Sequence, residues 1–291
     1  MPEHAMSTAL LLGAAAALAW SVSTLTLAKA GRVAGTWTTV FWTSLVGSLA
    51  ASLAATTSGP PGGDLTEWSA VGLAGFAFAA SVILYLMAVR GGQISLVNPI
   101  VGCEGGFAAL IAVVAGEALG LPTSVGLIGM VVAVVLVTGS AASSSSGAEA
   151  LPEDRSTLRT VALALAVAFS FAFVFYFSGK AADIDPMWVV AGARLVPTTI
   201  AFALCVRKGT LIPPPSTRLL LLLSGLIDAL GFVCYVAAAQ DSLAVAAVAA
   251  SQYATLATLG AVVLFSERLQ ARQWVGVGLL GTAAAVVAAA G

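Results

Sequence analysis

Three ionisable residues stand inside long apolar runs of this 291-residue chain: Glu104 in NPIVGCEGG, Arg194 in VVAGARLVPT and Asp228 in LSGLIDALGF. Charge is costly in hydrocarbon, so such residues face a bundle interior or a water-filled cavity, and they mark ion or substrate paths. Here two acids face one base. An arginine keeps its charge at any physiological pH, and it can neutralise one carboxylate in an ion pair that locks two helices together. The remaining acid is then left to bind a proton or a cation. Glu104 is the expected proton-coupling or cation-binding carboxylate, with Arg194 and Asp228 forming or modulating the adjacent pair. The sequence leaves open which acid meets Arg194.

The surroundings of Glu104 add to this reading. Asn98-Pro99 can open the backbone ladder, because proline lacks the N–H that a helix interior needs, and Gly102 with Gly106 forms a small-x-x-x-small face. The segment is therefore either a broken helix that presents carbonyls and a carboxylate to a cavity or a kinked helix packed closely on a neighbour. Further along, Ser251, Gln252, Tyr253, Thr255 and Thr258 give one apolar run a polar density suited to a cavity wall, with Gln252 and Tyr253 expected to touch solute. Trp20 and Thr24, four apart, share one helix face, and Phe169, Phe173 and Tyr176 form an aromatic stripe. Such stripes serve packing more often than binding; on a cavity wall they would hold an apolar solute or a cation. Glu117 and Glu267 each close an apolar run, as solvated helix ends or as gate contacts. Trp37 and Trp188 suit the interfacial belt, Lys180 can snorkel, and Pro213-Pro214-Pro215 reads as a stiff bend.

What must position these residues is a membrane bundle. The chain is 59% hydrophobic and 9% charged, and its mean hydropathy is +1.02, which no water-soluble surface of this size accommodates. Continuous apolar runs of about 20 residues without two-residue alternation select helices over a barrel. Charge and turn clusters delimit runs near 7–28, 36–56, 68–89, 93–115, 123–141, 158–179, 187–206, 217–238, 243–265 and 271–290. The first begins Met-Pro-Glu-His and is as long as a membrane crossing, so it reads as a retained span rather than a signal peptide. Cys103, Cys205 and Cys234 lie in apolar runs as small packing residues.

A Ser-rich, charged stretch near the middle of the chain separates two halves: residues 1–141 and 158–291, joined by a linker over 142–157. The halves are related, because Tyr85 and Tyr235, Ala88 and Ala238, Glu117 and Glu267, Leu119 and Leu269, and Gly126 and Gly276 all pair at an offset of 150 residues. Five helices per half is an odd number, so the second half enters the membrane from the opposite face. The expected fold is an all-α polytopic membrane protein, ten transmembrane helices in two inverted five-helix repeats.

A Tyr-x-x-Ala segment, an apolar helix, a terminal Gly/Ser-Glu-x-Leu and a glycine-bearing helix occur once per half. This pattern resembles the EamA-type transporters of the drug/metabolite transporter superfamily. The resemblance implies ten helices, a central cavity lined by the first four helices of each half, and export or exchange of small metabolites. Ala118 departs from it, standing where the family commonly carries a basic residue; Arg268 keeps that residue in the second half.

Loops after odd-numbered helices carry Lys29, Arg32, Arg90, Arg155, Arg159, Arg207, Lys208, Arg218, Arg268 and Arg272, against only Lys180 on the other side. The positive-inside rule then puts both termini outside, in a multi-pass protein of the cell (plasma or inner) membrane. With a net charge of -1 there is no basic face for nucleic acid. No GxxxxGK[ST] loop supplies ATP energy, and no GxSxG, HExxH or paired-cysteine motif suggests an enzyme, a metal or another cofactor. The expected partners are a small-molecule solute and the lipid bilayer, and the expected activity is secondary transport, with a non-transporting scaffold or subunit as the first alternative and a membrane-embedded enzyme behind it. Oligomeric state and substrate stay open.

Overall fold

In the computed structural model, the structure describes residues 2–91, 94–104, 107, 111, 125, 129, 132, 153–181, 183–241, 246, 249–264 and 271–290. Among these there are nine helices and no strand. They are α1 (Pro2–Ala34), α2 (Thr36–Ser58), α3 (Leu65–Gly91), α4 (Ile94–Val101), α5 (Glu153–Gly179), α6 (Pro186–Lys208), α7 (Pro215–Asp241), α8 (Tyr253–Leu264) and α9 (Ala271–Ala290). Six of them, α1, α2, α3, α5, α6 and α7, are long and apolar enough to cross a membrane. The chain is a multi-pass membrane protein.

Local chemistry sets the helix ends. A single residue, Gly35, separates α1 from α2 with φ +87, a left-handed conformation that favours glycine. α6 starts at Pro186, pre-set for a first helical position, behind Asp185, whose side chain accepts the Met187 N–H at 2.9 Å. It ends at Gly209 in the left-handed conformation, with the Thr210 N–H returning to the Cys205 carbonyl at 3.0 Å. That closing bond satisfies a carbonyl the helix leaves orphaned.

The core is built from small residues. Ala16, Ala28, Ala164, Ala168, Ala193 and Ala254 are fully buried, while Leu53 and Val263 are 73% and 78% exposed. Apolar side chains facing outward cost nothing in lipid, and small residues facing inward let backbones approach closely. A Cβ on Gly225 would stand 2.6 Å from the Thr43 carbonyl oxygen, so only glycine permits the approach of α7 to α2.

Pairing between helices exchanges the two halves: α1 packs on α7, α2 on α6, α3 on α5 and α4 on α8. The α2·α6 pair runs antiparallel, since Thr38 meets Thr210 and Ser48 meets the Ala191 carbonyl. The fourth run of each half is interrupted at the same place, by turns at residues 102–103 and at 252. At the first break Cys103 bonds back to Ile100 by a three-residue step at 3.1 Å rather than continuing the ladder. The structure therefore closes a helix at Val101 and turns the chain at residues 102–103, within the run over 93–115 where a broken or a kinked helix was expected, because Pro99 and Gly102 weaken the ladder just before Glu104.

Candidate functional site

Glu104, Arg194 and Asp228 converge on one cavity, whose lining also includes Trp20, Ser23, Phe78, Tyr85, Phe175 and Tyr253. All the space that protein atoms leave free in it, out to and including its open mouth, comes to about 640 Å³. Its walls come from α1, α3, α5, α6, α7 and α8 and from the turn after α4, so both halves build it.

Asp228 is the acid that meets Arg194, with Nη2 donating to Oδ2 at 2.5 Å. The arginine is 1% exposed and the aspartate 24%, so the carboxylate is the wetter partner. The guanidinium also lies 5.0 Å from the Phe78 ring centre and 5.9 Å from that of Phe232, which adds cation–π attraction. Phe78 and Asp228 are counterparts at the repeat offset, so the same Arg194 is held by a ring from one half and a carboxylate from the other. Gly47 makes room for it, since a Cβ there would stand 3.1 Å from Arg194 Nη1.

Glu104 is fully buried. Its Oε2 accepts the Tyr253 hydroxyl at 3.3 Å, and its Oε1 has no partner among the described residues. Nearby the halves differ in one respect. The Tyr85 hydroxyl donates to Asn98 Oδ1 at 3.2 Å, whereas its counterpart Tyr235 is buried with a hydroxyl that has no partner among the described residues. At the repeat offset Asn98 corresponds to Val248, whose side chain carries no acceptor. Buried polar groups of this kind are costly unless water or a ligand meets them.

Trp20 sits among aromatic rings. Phe175 stacks on it at 6.1 Å, Tyr235 tilts at 5.8 Å and Tyr253 meets it edge-on at 5.9 Å. Its indole N–H donates to the Asp228 carbonyl at 3.3 Å, tying α1 to α7. Glycine is required opposite the ring, because a Cβ on Gly231 would stand 2.7 Å from Trp20 Cδ1.

Of the residues singled out in the sequence, Glu104, Arg194, Asp228, Trp20, Thr24 and Tyr253 lie together on this lining. Asn98 stands behind it, buried against Tyr85. The structure places Tyr176 elsewhere, beneath Lys180 with the ammonium 5.3 Å from its ring. Phe169, 47% exposed, faces outward. The cavity instead takes Phe171 and Phe175, which share the other face of α5 at a four-residue spacing. Gln252 is likewise off the lining and points toward α9, where a Cβ on Gly281 would stand 3.5 Å from its Oε1. Glu117 and Glu267 lie outside the described residues, as do most residues of the linker.

The sequence reading missed Phe78, Tyr85 and Phe232 as cavity residues. Tyr85 carried a signal, since it pairs with Tyr235 in the repeat. The phenylalanines carried none, because an aromatic residue in an apolar run looks alike on any face.

The family model of EamA-like transporters matches residues 7–139 and again 158–289. The chain belongs to the EamA-like transporter family. The double match makes the two halves of this EamA-like protein copies of one unit, and the cavity lies between them. A solved crystal structure with 19% sequence identity aligns over 97% of both chains at a TM-score of 0.69, a likeness of fold. Among curated proteins none matches the chain.

Proposed function

We propose that this EamA-like protein is a secondary transporter, an exporter or exchanger of a small metabolite or drug-like solute, and that Glu104 couples transport to a proton or binds a cationic group. The observation that carries the reading is a carboxylate oxygen with no partner among the described residues, fully buried on the lining of a cavity that both halves build and that also holds the Arg194–Asp228 pair. A structural role is complete for the Arg194–Asp228 pair and leaves Glu104 unexplained. The aromatic walls offer a solute apolar contact and ring faces.

The full architecture is ten helices in two inverted five-helix repeats, consistent with the antiparallel α2·α6 pair and with the two matching helix breaks. Loop charge puts both termini outside the cell membrane, and a reporter fused at Gly291 that signals only from the cytoplasm would overturn that orientation. Transport occurs by rocking of one half against the other around the shared cavity, with Glu117 and Glu267 as gate contacts, and the chain performs no catalysis.

The test begins with vesicle uptake of amino acids, quaternary amines and nucleotides at two pH values. Once a substrate is found, Glu104→Gln should abolish gradient-driven accumulation while the protein still folds and extracts. Accumulation by that variant with unchanged pH dependence refutes the coupling role.

A further inference from the structure

A second cleft lies away from the central cavity, on the outer surface between the first half of α2 and the start of α7. It is lined by Trp42, Val46, Ile212, Arg218, Leu221 and Leu222 and holds about 820 Å³ counted to its open mouth. We propose that this cleft is a binding site for an anionic phospholipid, with the phosphate on Arg218 and one acyl chain along the groove.

The cleft has the layout of a lipid. Arg218 is the fourth residue of α7, at the membrane end of that span, whereas Leu222 lies about 6 Å further along the helix axis. Val46 is ten residues into α2, about 15 Å from that helix's start. Charge is therefore confined to the rim and the walls beyond are apolar. Beyond Arg218 the outward side of α7 is apolar too, with Leu219 65% and Leu226 40% exposed, as a surface bathed in acyl chains is.

Rim charge selects the headgroup. The stretch from Arg207 to Arg218 holds Arg207, Lys208 and Arg218 and no acid. Among the described residues Arg194–Asp228 is the one ion pair, so no described carboxylate neutralises this rim. Arg218 is exposed, and its Nε donates to the Pro213 carbonyl at 3.4 Å, which leaves the terminal nitrogens of the guanidinium available to a phosphate. Lys208 lies 5.6 Å from the Trp37 ring centre, beside the same rim.

The groove is also held open from below. The Trp42 indole donates to the Leu211 carbonyl at 2.8 Å and the Thr38 hydroxyl to the Thr210 carbonyl at 2.7 Å. These bonds pin the loop between α6 and α7 to α2, and the buried Pro213 stiffens it. Trp42 therefore stands as a fixed wall and a built-in reporter.

The test uses the purified full chain in detergent, titrated with phosphatidylglycerol or phosphatidylcholine brominated on one acyl chain, with tryptophan fluorescence as the readout. Phosphatidylglycerol should quench at lower concentration than phosphatidylcholine, and Trp42→Phe should remove that saturable component. Arg218→Gln should weaken the phosphatidylglycerol response about fivefold, the effect of one basic residue at an anionic surface. Arg218→Lys should keep most of it, and Arg272→Gln, away from the cleft, should leave it unchanged. Equal quenching by both lipids, persistence of the component in Trp42→Phe, or an Arg218→Gln response equal to that of the unaltered chain overturns the proposal. Displacement of the lipid by millimolar inorganic phosphate would show a bare anion site and overturn it as well.

Discussion

Breaking the Arg194–Asp228 pair from each side should cost different amounts. In Asp228→Asn the guanidinium stays charged because arginine cannot shed its proton, and at 1% exposure it has no water to turn to. Orphaning a buried ion costs about 3–5 kcal/mol. The rings of Phe78 and Phe232 remain at 5.0 and 5.9 Å and offset part of this, so the loss should be about 3 kcal/mol. In Arg194→Met the carboxylate left behind is 24% exposed and can meet cavity water, so the loss should be about 1–2 kcal/mol. The double variant leaves no buried charge and should lose no more than Asp228→Asn alone, which makes the pair non-additive by about 1–2 kcal/mol. Unfolding of the purified protein in mixed micelles, followed by circular dichroism as denaturing detergent is added, measures all three. Additive losses, or equal losses from the two single variants, would refute the assignment of Arg194 as the dry partner.

Gly225→Ala should destabilise the chain by about 1–3 kcal/mol by forcing α7 off α2, whereas Gly72→Ala, with nothing within 4 Å of the added Cβ, should be neutral or gain up to about 1 kcal/mol of helix propensity; the same unfolding assay separates them. Tyr253→Phe removes the hydroxyl that reaches Glu104 while keeping the ring against Trp20, so transport should shift in its pH profile with little change in stability, and a profile identical to that of the parent counts against a shared role. Cysteines introduced at 171 and 175 should be protected from aqueous thiol reagents by substrate, and those at 169 and 176 should not; protection of the second pair would place the cavity on the wrong face of α5. Trp20→Ala should impair transport and loosen α1 from α7, whereas Trp274→Ala, on the exposed side of α9, should do neither.

How far the sequence reached is visible in particular residues. Composition and run length were enough for a helical membrane bundle, because backbone groups in lipid must be satisfied within each element. The repeat was readable because Glu117 and Glu267, and Tyr85 and Tyr235, kept one offset. Glu104, Arg194 and Asp228 could be named because charge within hydrocarbon is rare and costly wherever it occurs, a property of each residue's own neighbours in sequence. Their partners were beyond reach: Arg194 had two acids to choose from, 90 residues before it and 34 after it, and only the crossing of α6 with α7 chose Asp228. Which side of α5 faces the cavity was out of reach for the same reason. α5 carries rings on several faces, at 169, 171, 173, 175, 176 and 177, and nothing along its length says which face the other half covers. Tertiary packing decided that, turning Phe171 and Phe175 inward, Phe169 outward and Tyr176 toward Lys180, because in lipid both faces of a helix are apolar and period alone no longer distinguishes inside from outside.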